Sequence, residues 1–223
     1  MNEKNKVVEK EKEKSPEIWI VEIKATAVSP LFIGETKVEE KKKRGGGNAI
    51  FTRKSGDNKA VVSFFGPIRR YAEAIYRPEG TCDIGTNNKG CGKCLTCDLF
   101  GSLGRKGRAI FDYLKSTGNF NQVVKKAVHT SLKTDSGQVN SFIEVEEIQE
   151  GTELLGRILI RNPHQKDVEM LLEALKAAEE QGIGGWTKRD MGRAKFNVEV
   201  KKIQWVEYKK YGIEQAKKLL GAK

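Results

Sequence analysis

The residues from Ile18 to Val28 alternate, Val21, Ile23 and Ala25 apolar against polar Glu22 and Lys24, and a period of two predicts a half-buried β-strand. Ala60 to Ser63 predicts a second, short strand. Gly66-Pro67 then opens a helix with Ile68, Ala72 and Ile75 on one face, its proline sited near the start, where a missing N–H is harmless. Strands are expected again over Arg108 to Leu114 and Thr152 to Arg161, the latter with Leu154, Ile158 and Ile160 in phase. Asp167 to Gln181 carries the clearest helical stripe, Val168, Leu171, Leu172, Leu175 and Ala178, between Asp167 as N-cap and Gly182 as C-cap. In the last strand, Lys195 to Tyr208, residues Phe196, Val198 and Val200 are in phase. The shift across Lys201-Lys202 to Ile203 and Trp205 predicts a bulge. A short helix over Ile213 to Leu220 closes the chain.

Strand, helix, strand, strand, helix, strand is the order of a ferredoxin-like (RRM-like) α+β sandwich. Residues 1–17 are charged and nearly free of large apolar groups, which predicts a disordered tail. The rest, 18–223, is long enough to bury one sizeable core, with insertions at about 35–60, 79–107 and 120–145. The first insertion holds Lys37 to Gly47, whose three consecutive glycines exclude a regular element and predict a flexible loop.

With 41 Lys and Arg against 30 Asp and Glu, the formal net charge is +11 and the pI is about 9.4. Such a surplus suits a polyanion, because lysine and arginine contacts to phosphate release counterions. In the tail, Lys4, Lys6, Lys10, Lys12 and Lys14 offset Glu3, Glu9, Glu11, Glu13 and Glu17, so the positive field belongs to the folded part. No run approaches the roughly eighteen apolar residues of a membrane span, and no apolar stretch of a signal peptide opens the chain. A cytoplasmic protein without a membrane partner is expected. Its basic clusters are Lys41, Lys42, Lys43 and Arg44; Arg69 and Arg70; and Lys125 and Lys126 with His129. Arg69 and Arg70 fall in the first turn of a helix, where cations oppose the dipole and an anionic ligand explains them better than helix stability does.

All four cysteines, Cys82, Cys91, Cys94 and Cys97, lie within sixteen residues of one another. In a cytosolic chain such a cluster points to metal and away from disulfides, and Gly85, Gly90 and Gly92 give the loop freedom to wrap an ion. Structural zinc is the leading reading. The consecutive CxxC steps also occur in iron–sulfur runs, and a site without metal is the bland alternative. Four ligands leave no open position for catalysis.

Between the second helix and the last strand runs Gly182-Ile183-Gly184-Gly185-Trp186-Thr187-Lys188-Arg189-Asp190-Met191-Gly192-Arg193. Gly184 and Gly185 would let backbone amides approach phosphates, with Lys188, Arg189 and Arg193 adding charge. The segment precedes a strand, unlike dinucleotide-binding glycine loops, which open a helix. His129 and His164 are far apart in sequence, which favours surface or RNA contacts over an acid/base pair.

The Gly-Ile-Gly-Gly run, its basic linker and Gly192-Arg193 before a strand resemble the glycine-rich signature of the RAMP superfamily. Cys91 to Gly101, CGKCLTCDLFG, resembles the neighbourhood of type III CRISPR backbone subunits, and Phe142 to Gly156 is similar to the family's Glu-rich approach to a Gly-Thr strand. The resemblance implies a subunit that polymerises along guide RNA and presents it to target RNA beside further effector subunits in antiviral defence. A β-hairpin thumb is implied near His129 to Phe142. The helix at Gly66 departs from the family's Gly-Ser-Ser-x-Lys-Gly start, reading Ser63-Phe64-Phe65-Gly66-Pro67. Some such subunits cut target RNA with an aspartate and a divalent metal. Asp57 is the aspartate of the corresponding loop, outside any family motif, and a solvated loop charge is the competing reading. A RAMP-type endoribonuclease and a stand-alone zinc-containing RNA-binding protein remain the alternatives.

Overall fold

The computed structural model describes residues 17–35, 49–82, 89–132, 139–185, 187 and 190–204. The basic run Lys41 to Arg44, the C-terminal helix expected over 213–220, and Trp186, Lys188 and Arg189 lie outside the described residues. So does the tail up to residue 16. Glu17, expected in that tail, already pairs with Gln204 in β1 (Glu17–Ala27).

β1 buries Trp19, Val21, Ile23, Ala25 and Ala27 on one face and exposes Glu22 and Lys24 on the other, as its alternation demands. It runs antiparallel between β12 (Ala194–Gln204) and β11 (Glu153–Arg161). Beyond β11 the sheet continues through β7 (Ala109–Phe111) and β8 (Leu114–Ser116) to β4 (Ala60–Val62) and β3 (Ala49–Lys54), which also takes the two-residue β2 (Gly34–Glu35). The far end is an antiparallel hairpin of β9 (Val124–Leu132) and β10 (Val139–Ile148), joined to β3 by a parallel pairing. A mixed α+β architecture on a largely antiparallel sheet results.

Helices α1 (Phe65–Ile75) and α4 (Gln165–Gln181) pack on each other and on the buried face of β1, where Ile68, Ala72, Leu171, Leu175 and Ala178 join Val21, Ile23, Ile158 and Ile160 in one core. Truncating Ile158 to alanine there would cost about 2–5 kcal/mol. Helix α2 (Leu95–Phe100) follows the cysteine loop and adds Leu99 and Phe100 to the core. A small β5–β6 ladder (Gly101–Ser102, Arg105–Lys106) comes next, and the short α3 (Phe120–Val123) leads into β9. Among the described residues no helix is long and apolar enough to cross a membrane.

Three local expectations are corrected. Helix α4 starts two residues earlier than expected: His164 is the N-cap, while Asp167 is the third helical residue and accepts the His164 N–H at 2.7 Å. Its buried stripe includes Met170, whereas Leu172 is exposed. The bulge expected at Lys201-Lys202 is absent, since β12 keeps one register against β1 from Ala27↔Ala194 to Glu17↔Gln204. The apolar phase shifts because Ile203 belongs to the sheet's other face, packing with Ile18, Ile20 and Leu159. An irregularity sits instead inside the strand expected at Arg108 to Leu114. Phe111 pairs with Ile158 and Lys115 with Leu155, so the β7–β8 side carries one extra residue.

Candidate functional site

The four cysteine sulfurs lie within 4.8 Å of one another, and among the described residues they form the group of converging metal-ligand atoms. Cys82 Sγ is 3.2 Å from Cys97 Sγ and 3.6 Å from Cys94 Sγ. The loop folds this way because Cys94 stands at the N-cap of α2 and Cys97 one turn on, fully buried. Amide groups already point at sulfur: Cys91 N–H donates to Cys82 Sγ (3.3 Å) and Cys94 N–H to Cys91 Sγ (3.2 Å), while the buried Thr96 hydroxyl lies 3.2 Å from Cys94 Sγ. Burial pushes the Cys82 thiol up to about 12 and raises Cys97 too. The Lys93 and Cys94 amides lower Cys91, and Cys94, against the pull of its own burial, is brought down to about 6 by the Thr96 hydroxyl and nearby amides. A zinc–sulfur bond of about 2.3 Å puts tetrahedral sulfurs roughly 3.8 Å apart. The donor set therefore fits a metal ion such as zinc.

The glycine-rich segment closes on itself and on the chain after β1. Ile183 N–H donates to Gly192 O (2.8 Å), Gly192 N–H to Pro30 O (2.9 Å), and Gly185 N–H to Phe32 O (2.8 Å). Tyr71 of α1 donates its hydroxyl to Gly182 O at 2.5 Å. A Cβ on Gly184 (φ +90°) would lie 2.4 Å from Phe32 O, and one on Gly192 (φ +81°) 2.3 Å from Ile183 O. Close packing within the chain requires glycine at these two positions. Arg193, half-exposed, pairs with Asp190 at 2.7 Å.

Beside this segment is a cavity of about 460 Å³ bordered by Gly66, Arg70, Tyr71, Gly182, Gly184 and Thr187. It meets the first turn of α1, which has no side-chain cap and no carboxylate in that turn; Pro67 has no N–H, so the amides of Phe65 and Gly66 are the ones that favour an anion. The two arginines expected to face an anion separate here. Arg70 lines the cavity and is exposed, while Arg69, largely buried, binds Glu73 at 2.8 Å.

The expected hairpin is present as β9–β10, with Lys125 and Lys126 exposed near its base. Lys126 is 3.5 Å from Glu144, and His129 Nε2 is 2.5 Å from Oε1 of the buried Glu147. The sequence reading missed this carboxylate, whose signal was the Glu144-Val145-Glu146-Glu147 run opposite a lysine pair. Asp57 sits in the exposed turn between β3 and β4, apart from the cysteine cluster. A hydrogen bond from Ser55 holds its carboxyl below the usual range, and Lys115 is 3.7 Å away. It thus has partners that the sequence did not reveal.

The sequence matches the RAMP superfamily over residues 24–222. Nothing among curated proteins matches it. Among solved structures, a chain in the cryo-EM structure of the type III-B Cmr-beta bound to cognate target RNA superposes with a TM-score of 0.60 at 12% identity. The match covers 84% of this chain and 61% of that one, so this chain spans about three fifths of its length. At such identity the likeness is one of fold.

Proposed function

The chain belongs to the RAMP superfamily, and from that premise we propose that it is an RNA-binding subunit of a type III-like CRISPR effector complex. In this reading it holds guide RNA by its phosphates, assembles with further copies and other subunits along it, and presents it to target RNA in cytoplasmic antiviral defence. The strand order supports a ferredoxin-like sandwich as the RNA-binding domain: β12, β1, β11 and then β7 with β8 are its fourth, first, third and second strands, under α1 and α4. The cysteine loop and the hairpin then fall in connections of that sandwich. The hairpin, between the second and third strands, is the counterpart of the thumb, with Lys125, Lys126 and His129 on its first strand. The cysteines hold a structural zinc.

The observation that carries the RNA reading is the cavity between the uncapped start of α1 and the glycine-rich segment, with Arg70 on its wall. Backbone amides and one arginine fork suit a phosphate, and the exposed Arg193 on the same glycine-rich segment adds a second cation. Asp57, exposed in a two-strand turn and paired to Lys115, is read as a solvated charge and not as the base of a cleavage reaction.

Fluorescence anisotropy with mixed-sequence single-stranded RNA tests this. Binding should fall steeply with salt and tolerate sequence changes. Arg70→Ala with Arg193→Ala should weaken it about tenfold or more and flatten the salt slope by about one unit for each phosphate left without its arginine. Wild-type affinity and slope in the double variant would exclude this surface as the RNA track.

A further inference from the structure

One tie between the cysteine loop and the rest of the molecule runs through Arg108. Asp98 lies between the ligand Cys97 and the core residue Leu99 on α2. Its Oδ2 accepts Arg108 Nε at 2.7 Å and its Oδ1 accepts Arg105 Nη2 at 2.6 Å, while Arg105 also reaches the Gly92 carbonyl inside the cysteine loop. The Arg108 main-chain N–H donates to Asp98 O at 3.2 Å, so both backbone and side chain clasp the same residue. Beyond Asp98, the Arg108 fork binds Asp167 of α4 through both terminal nitrogens, at 2.6 and 2.7 Å, and donates to Asn162 O at 3.0 Å. Asp167 is buried and in turn caps α4 by accepting the His164 N–H. Arg108 therefore spans two carboxylates, one on the helix that carries cysteine ligands and one in the first turn of α4.

We infer that Asp98 and Arg108 couple the four-cysteine site to the first turn of α4, so that the cysteines, when they hold a metal, stabilise the sandwich and not only their own loop. The inference rests on the metal reading given above. Ligation through Cys94 and Cys97 fixes the N-cap and the first turn of α2, and Asp98 belongs to that same turn. When α2 loosens, Asp98 leaves Arg108, and a guanidinium only 19% exposed is left with one carboxylate in place of two. The Arg108–Asp167 geometry that caps α4 loosens with it. A buried, forked arginine transmits such a change because its donors are fixed in one plane. Coupling of this kind is reciprocal: whatever metal adds to the body, the body returns to metal affinity.

The test uses the full chain, as wild type and as Asp98→Asn, each loaded with zinc and after treatment with a chelator. Melting temperature, zinc affinity by competition with a chromogenic chelator, and amide hydrogen exchange over His164 to Val168 are read. Chelation should lower the wild-type melting temperature by about 5–10 °C and speed exchange at the start of α4. Asp98→Asn should still bind one zinc per chain, with affinity roughly tenfold weaker, and should show no more than half the wild-type shift and no zinc-dependent exchange. Arg108→Lys, which keeps the charge but not the fork, should behave in the same way. An equal shift in wild type and Asp98→Asn would overturn the coupling while leaving the metal reading intact. A wild type that binds no zinc, or melts identically without it, would overturn both. Should Asp98→Asn not fold, unchanged wild-type exchange over His164 to Val168 on chelation would by itself sink the coupling.

Discussion

The cysteine loop and the glycine-rich segment are both glycine-containing, basic connections, and they are built in opposite ways. The first is organised by side chains: four sulfurs converge on one point, and Asp98, Arg105 and Arg108 tie that point to the body. The second is organised by main chain. Its amides and carbonyls bond to Pro30, Phe32 and each other, and its glycines exist because no Cβ fits where those backbones meet. A loop of the first kind brings together groups that could hold a metal. A loop of the second kind is fixed at its described residues by backbone contacts to distant parts of the chain.

The largest effect expected is on the cysteine side. Cys97→Ser puts a hydroxyl at a fully buried position and removes a ligand, so zinc content should drop to near zero and unfolding free energy should fall by about 4 kcal/mol in a denaturant titration. The matching break on the glycine side is Gly192→Ala, expected to cost about 3 kcal/mol through a left-handed backbone and a clash with Ile183 O, with zinc content unchanged. If Gly192→Ala were neutral, the loop would have to be pliable and the contrast would fail. Smaller and more selective is Arg70→Ala, which should weaken single-stranded RNA binding about tenfold on its own, with the melting temperature within about 2 °C of wild type. Loss of RNA affinity in Cys97→Ser protein that remains folded, equal to that in Arg70→Ala, would show that the two regions are not separate. Smallest is Asp57→Ala. Its side chain is exposed in a turn, so the melting temperature should move by about 1 °C or less, and any cleavage of target RNA by the assembled complex should persist. Loss of every cut, with assembly and target binding intact, would return Asp57 to catalysis.

The separation of the two arginines of α1 shows where sequence reasoning ran short. Adjacent residues on a helix point about 100° apart, so Arg69 turns toward Glu73 one turn on while Arg70 faces the cavity, and only the position of the packed neighbours says which side is which. The same limit explains His129. Its partner Glu147 is eighteen residues away on the opposite strand of a hairpin whose register no local pattern announced.

What the chain determined by itself is what local periodicity and chemistry encode. The alternation of β1, the stripe of α4 and the strand–helix order gave the α+β class, and four cysteines within sixteen residues gave a metal-type cluster, because short-range spacing alone keeps such thiols close. What only the tertiary structure decided is which groups meet across long separations. The second phase of β12 looked like a bulge until Ile203 was seen packed with Ile18, Ile20 and Leu159 on the far face of the sheet. For the glycines of the 182–192 segment, the sequence could not show that Phe32, some 150 residues earlier, fills the space where side chains on Gly184 and Gly185 would be, or that Ile183 O fills it at Gly192. Steric exclusion between distant backbones leaves the same mark in a sequence as ligand approach, a glycine, and only the folded chain shows where that exclusion operates.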